Sequence, residues 1–125
     1  MSDGRSHLLG AWRVQRYDDR ESLEDEWNET YGEGLDGLVV YDESGWLSIQ
    51  ITAKNGRFDS YFGHFTVVES SEQDGDVVGI VNHEIVASSM PELLTADQAR
   101  PFRITRDNLI LGDEQTWRRV CKRLR

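Results

Sequence analysis

Apolar and polar residues alternate with a period of two along most of this chain, the mark of half-buried strands rather than helices. The segment AWRVQRY (residues 11–17) alternates first, and after an interruption come GLVVY, WLSIQITA, YFGHFTVVES and VVGIVNHEIVASS, separated by DESG, KNGRFDS and SEQDGD. Connections rich in Gly, Asp and Asn between such runs predict an antiparallel meander. The stretch MPELLTADQA breaks the series with room for one helical turn, and RPFRIT, LILG and QTWRRVCKRL complete it. The pattern predicts about eight strands in a single domain, because a chain of 125 residues fills one core and not two.

The first interruption, DDRESLEDEWNETYGEGLDG (residues 18–37), carries nine carboxylates and no apolar stripe. It reads as a long acidic loop or lid after the first strand, with at most a short turn around Ser22 to Trp27, where Ser22 and Asp25 resemble a capping pair. A cation site there competes with the plainer reading of a solvated acidic face.

An eight-stranded meander loses its exposed edges by closing into an up-and-down barrel, so the predicted fold is an all-β, closed antiparallel barrel, with a flat sandwich as the alternative. Closure makes the first and last strands neighbours. Trp12, Val14 and Arg16 share one face of the first strand, and Gln115, Trp117, Arg119 and Cys121 share one face of the last. Pairing these faces predicts that Arg119 lies over the Trp12 ring, a contact worth roughly 0.5–2 kcal/mol, and plugs one end of the barrel.

Composition narrows the function classes. The net charge is −9, and no Lys/Arg cluster precedes the last eight residues, which argues against a nucleic-acid partner. The single cysteine, Cys121, has no internal disulfide partner, the N-terminus carries no apolar leader, and no run approaches a membrane span. The expectation is a cytoplasmic protein with no membrane association. Three histidines on separate segments lack metal-ligand spacing, so neither a metal site nor a cofactor is expected. A Ser/His/Asp arrangement, a nucleophile elbow and a phosphate loop are all lacking, and the Gly-X-Gly of YGEGLDG sits among acids that repel phosphate.

The ordered succession LLGAWRV, YDESGWLSIQITA, YFGHFTV, NHEIVASSMPE, QARPFRI, LILG and TWRRV resembles the lipocalin-like domain family of small bacterial and fungal proteins, within the calycin architecture. The resemblance spans nearly the whole chain. It implies a β-barrel with an internal cavity, and it implies that Gly10, Trp12 and Arg119 serve structural closure of the barrel. The chain departs from secreted lipocalins in its length and in having neither leader nor disulfides. Fold transfers across such a family better than function.

Six residues are candidates for lining a ligand cavity. Ser48 and Gln50 share the polar face of WLSIQITA, and the family's similar Gly-aromatic-X-Ser-X-Gln segment points them inward, leaving Leu47, Ile49 and Ile51 to be covered by a partner subunit or the acidic loop. The opposite assignment makes Ser48 and Gln50 ordinary solvent residues. His83 shares an apolar face with Val81 and Ile85, where it is either a hydrogen-bonded core residue or an acid/base group in a pocket wall. Arg100 shares parity with Phe102 and Ile104, so its guanidinium either holds an anion at the barrel mouth or pairs with the acidic loop. Tyr61 and Phe65 lie together as core filling or as an apolar pocket wall, whereas His64 alternates outward and His7 lies in the N-terminal tail.

Three functions compete on these residues. One is a binding module for a small, largely apolar molecule with a polar or acidic end. Another is a cofactor-independent cyclase or isomerase in which His83 moves a proton and Arg100 or Gln50 steadies an oxyanion. The third is a filled barrel that acts through self-association as a homodimer.

Overall fold

A computed structural model of the protein describes residues 4–125. A short helix, α1 (Gly4–Leu8), precedes strands β1 (Gly10–Asp19), β2 (Asn28–Glu29), β3 (Asp36–Tyr41), β4 (Trp46–Thr52), β5 (Phe58–Gln73) and β6 (Asp76–Ser88). A 3-10 turn at Pro91–Thr95 then leads to β7 (Gln98–Thr105), β8 (Asn108–Leu111) and β9 (Trp117–Arg123). Each strand from β3 to β9 pairs antiparallel with the next, β1 pairs with β3, and β1 also pairs with β9, which closes the sheet. The result is the expected eight-stranded barrel, with β2 added as a two-residue ladder on the end of β1. The predicted helical turn in MPELLTADQA is the 3-10 turn.

Inward positions follow the strand alternation. Trp12, Val14, Val39, Tyr41, Leu47, Ile49, Ile51, Tyr61, Phe65, Val81, Phe102, Ile104, Leu109, Leu111 and Cys121 form one buried cluster. In β4 the apolar residues Leu47, Ile49 and Ile51 are the buried ones, Ser48 is half-buried and Gln50 is exposed. The expectation that Ser48 and Gln50 line the cavity is therefore corrected: burying three aliphatic side chains, each worth roughly 1.5–3 kcal/mol, decides which face turns inward. On the outside, His64 stacks on Trp46 at 3.9 Å between ring centroids, the outward position expected of it.

One end of the barrel is plugged, although by a different arginine from the one expected. The β1–β9 register sets Arg123 opposite Trp12, and its guanidinium carbon lies 3.9 Å from the Trp12 ring centroid. Arg119 instead stands opposite Tyr17 and stacks on that ring at 3.5 Å. The correction has a geometric cause: Cys121 pairs with Val14, so the residue that reaches Trp12 lies two positions further along β9. Arg123 also donates to the carbonyls of Leu9 and His7, while the Trp12 indole N–H donates to Leu8 O at 2.9 Å. Gly10 belongs to the same closure, since its φ is +121° and a Cβ there would stand 3.1 Å from Arg123 Nη1.

A second departure from simple alternation lies in the middle of β1. The register shifts between Val14 and Arg16, so Tyr17 turns inward and Arg16 outward. Asp18, fully buried, accepts from Arg16 and from Arg118 at 2.8 Å each. Trp27, from the acidic segment, lies between Arg20 at 3.9 Å and Arg118 at 4.3 Å, which straps this segment to the outside of β1 and β9. Ser22 and Asp25 do interact, with Ser22 N–H and Oγ both donating to Asp25 Oδ2 at 3.1 Å. Among the described residues no helix is long and apolar enough to cross a membrane, and no group of His, Cys, Asp or Glu is arranged to hold a metal ion.

Candidate functional site

The strand directions place the ends of β1, β4, β6 and β8 and the starts of β3, β5, β7 and β9 at the barrel end opposite the Trp12 plug. That end is open. A cavity of about 240 Å³ lies there, with Val14, Val39, Ile49, Ile51 and Leu111 as its apolar lining. The rest of its lining is polar and aromatic, made by Tyr17, Tyr31, Asp59, Tyr61, Gln98, Arg100, Trp117 and Arg119, with Met90 and Leu93 added at and just before the 3-10 turn. An apolar chamber with a few converging polar groups is the usual form of a small-molecule site. The interior is thus not filled at this end.

The polar groups are not equivalent. Asp59 is fully engaged: the Tyr31 hydroxyl donates to it at 2.7 Å, Arg57 at 2.8 Å and Ser89 Oγ at 3.3 Å. Tyr31 and Arg57 hold its carboxyl below the usual range, against the opposing effect of burial. Arg119 is likewise committed, donating to Asp19 at 3.2 Å and to the Asp18 carbonyl at 2.9 Å. Arg100 lies beside the Tyr61 hydroxyl and differs from both in its lack of an acidic partner. It shares the inward parity of Phe102 and Ile104, lies 5.1 Å from the Trp117 ring centroid, and has no carboxylate within ion-pair distance among the described residues. The alternative that Arg100 pairs with the acidic loop is not what the fold contains.

Below Arg100 sits a buried polar chain. His83 is fully buried at mid-depth on β6, its Nε2 lies 2.8 Å from the Tyr41 hydroxyl and its Nδ1 lies 2.8 Å from the Tyr61 hydroxyl. Burial, reinforced by the positive charge of Arg100, pushes the imidazole down to about 3, so the ring is neutral at ordinary pH. Burial pushes the Tyr61 phenol up, and the neighbouring Arg100 guanidinium pulls in the other direction. Because both ring nitrogens are occupied and His83 does not line the cavity, a proton reaching the cavity from this chain passes through Tyr61.

The candidates therefore divide by depth. Tyr61 and Arg100 line the cavity; His83 lies behind Tyr61. Phe65 packs edge-on against Tyr41 at 4.9 Å and under Arg5 of α1 at 5.4 Å, at the plugged end and away from the cavity. Ser48 and Gln50 are outside the barrel. Sequence parity missed Tyr17, hidden by the β1 bulge, and Tyr31, Met90 and Leu93, which come from connections that carry no strand period. Trp117 and Arg119 were placed on one face of the last strand, but Arg119 was assigned to the plug and Trp117 was given no place in the cavity that both line.

Neither a protein-family model, nor a curated protein, nor a solved structure significantly matches this chain.

Proposed function

We propose that this barrel is a small-molecule binding module whose ligand is largely apolar, one or two rings in size, and carries one acidic group held by Arg100. The observation that carries the reading is an arginine without a carboxylate partner facing an apolar chamber. A guanidinium in such surroundings gains most from an anionic ligand, because low local dielectric strengthens a charge-assisted hydrogen bond. The size follows from the volume. At about 240 Å³ the cavity exceeds the 150 Å³ apolar cavity known to hold benzene and falls below the usual range of about 300–1,000 Å³ for drug-sized ligands.

The ordered motifs along the chain and the closed eight-stranded meander support placing the barrel with the lipocalin-like domain family, although the arginine over Trp12 is Arg123 and not the Arg119 that the resemblance implies. The test uses calorimetric titration of the purified protein with 2-naphthoate and, in parallel, with the neutral 2-naphthamide. Binding of the acid that exceeds binding of the amide, and a preference lost in Arg100→Leu, is the expected outcome. Equal binding of acid and amide defeats the role given to Arg100.

A further inference from the structure

The Tyr41, His83 and Tyr61 chain has a direction, and that direction reaches the cavity. A neutral imidazole carries one N–H donor and one acceptor nitrogen, so one tyrosine must donate to His83 and the other must accept from it. Tyr41 is fully buried at the far side of His83, and among the described residues His83 Nε2 is the only hydrogen-bond partner of its hydroxyl. If Nε2 carried the proton, the Tyr41 hydroxyl would accept it and leave its own O–H buried without an acceptor, a costly arrangement. With the proton on Nδ1, Tyr41 O–H donates to Nε2 and Nδ1–H donates to the Tyr61 oxygen, so the one hydrogen left over is that of Tyr61, which lines the cavity and not the sealed interior. The Tyr61 hydroxyl hydrogen is then free of His83, and Tyr61 lines the cavity beside Arg100.

We infer that His83 is a positioning residue which, held as its Nδ1–H tautomer by Tyr41, turns the Tyr61 hydroxyl into a donor aimed at the cavity, so that Tyr61 and Arg100 together form a donors-only clamp for a carboxylate. The inference rests on the proposed binding role of the cavity and deepens it. A donors-only pair selects a ligand whose polar end accepts at both oxygens, and it disfavours amides and amines, which bring hydrogens of their own. Tyr41 acts on the ligand without touching it, because it sits behind His83.

Two measurements test it. The side-chain ¹⁵N shifts of His83 in the full chain separate a protonated from an unprotonated ring nitrogen; a protonated Nδ1 and bare Nε2 are expected, and a protonated Nε2 overturns the inference without any ligand being involved. Titration of 2-naphthoate into Tyr61→Phe and Tyr41→Phe then reads the consequence. Each variant is expected to bind about tenfold more weakly than the parent, the scale of one hydrogen bond to a charged group. Tyr41→Phe binding at parental strength, in a variant that unfolds at the parental temperature, overturns the relay. If the parent protein itself does not bind 2-naphthoate while Nδ1 is protonated, the tautomer stands and the reading of the cavity as an acid-binding site fails.

Discussion

The Arg123 guanidinium carbon lies over Trp12, 3.9 Å from the ring centroid, and the two residues stand opposite each other across the β1–β9 seam. This contact joins the two ends of the chain at the point where the barrel closes, and it is held from below by the carbonyls of Leu9 and His7. Arg119, two turns of alternation nearer the mouth, makes its stack on Tyr17 instead. The two arginines thus divide the work of the last strand: one closes the barrel and the other shapes the open end.

Their substitutions are expected to differ accordingly. Arg123→Ala loses a desolvated cation–π contact and two charge-assisted hydrogen bonds, and should lower the unfolding free energy by roughly 2–3 kcal/mol. Urea unfolding followed by tryptophan fluorescence measures it, and a loss below that of Arg119→Ala contradicts the assignment of the plug.

Gly63 is expected to tolerate no side chain. It sits beside a register shift in the β5–β6 ladder, and a Cβ at this position would overlap the backbone carbonyl of Glu84. Since backbone has to move, Gly63→Ala should cost about 1–3 kcal/mol, an overpacking penalty readable as a shift in the urea midpoint.

His83 gives the protein an early acid weakness. Its folded value of about 3 lies below the unfolded value of about 6.5, so the folded state resists a proton that the unfolded state accepts. The stability contributed by keeping His83 neutral is complete above the unfolded value and is lost as pH falls from about 6.5 towards 3, at up to about 1.4 kcal/mol per pH unit. In His83→Gln the decline between pH 6 and pH 4 should flatten. An unchanged slope there would show that other groups set it.

Asp113 acts lower on the scale. Its carboxylate accepts from the backbone N–H groups of Gln115, Thr116 and Trp117 and from Thr116 Oγ1. Burial opposes this, yet the four donors hold it down to about 2. A depressed carboxylate contributes stability that is present above its unfolded value of about 3.9 and is lost as pH falls towards 2. Because Asp113 is exposed, Asp113→Ala should remove only roughly 1 kcal/mol at neutral pH, and the difference from the parent should shrink as pH falls below about 4 and vanish only below about 2.

Much of the fold was legible because alternation is a local property. The strands, the closed meander and the inward parity of Arg100, Phe102 and Ile104 follow from a period of two that runs uninterrupted through β7. What failed was register. The bulge after Val14 reverses the parity of Tyr17, and the seam offset exchanges Arg119 for Arg123 at Trp12; both depend on which residues of distant strands face each other. Ser48 and Gln50 were misplaced for a different reason: a polar face beside an apolar one was weighed by resemblance, when burial of Leu47, Ile49 and Ile51 decides it. The buried His83 was found, but its partners were not, since Tyr41 and Tyr61 reach it from β3 and β5, 42 and 22 residues away.

Arg100 is proposed to hold an acid in the apolar chamber. Calorimetric titration of the parent and Arg100→Leu proteins with 2-naphthoate and 2-naphthamide tests it most directly. The parent is expected to prefer the acid, by roughly tenfold or more for one charge-assisted contact, and Arg100→Leu to lose most of that preference while still binding the neutral amide. A preference for the acid that survives unchanged in Arg100→Leu would contradict it.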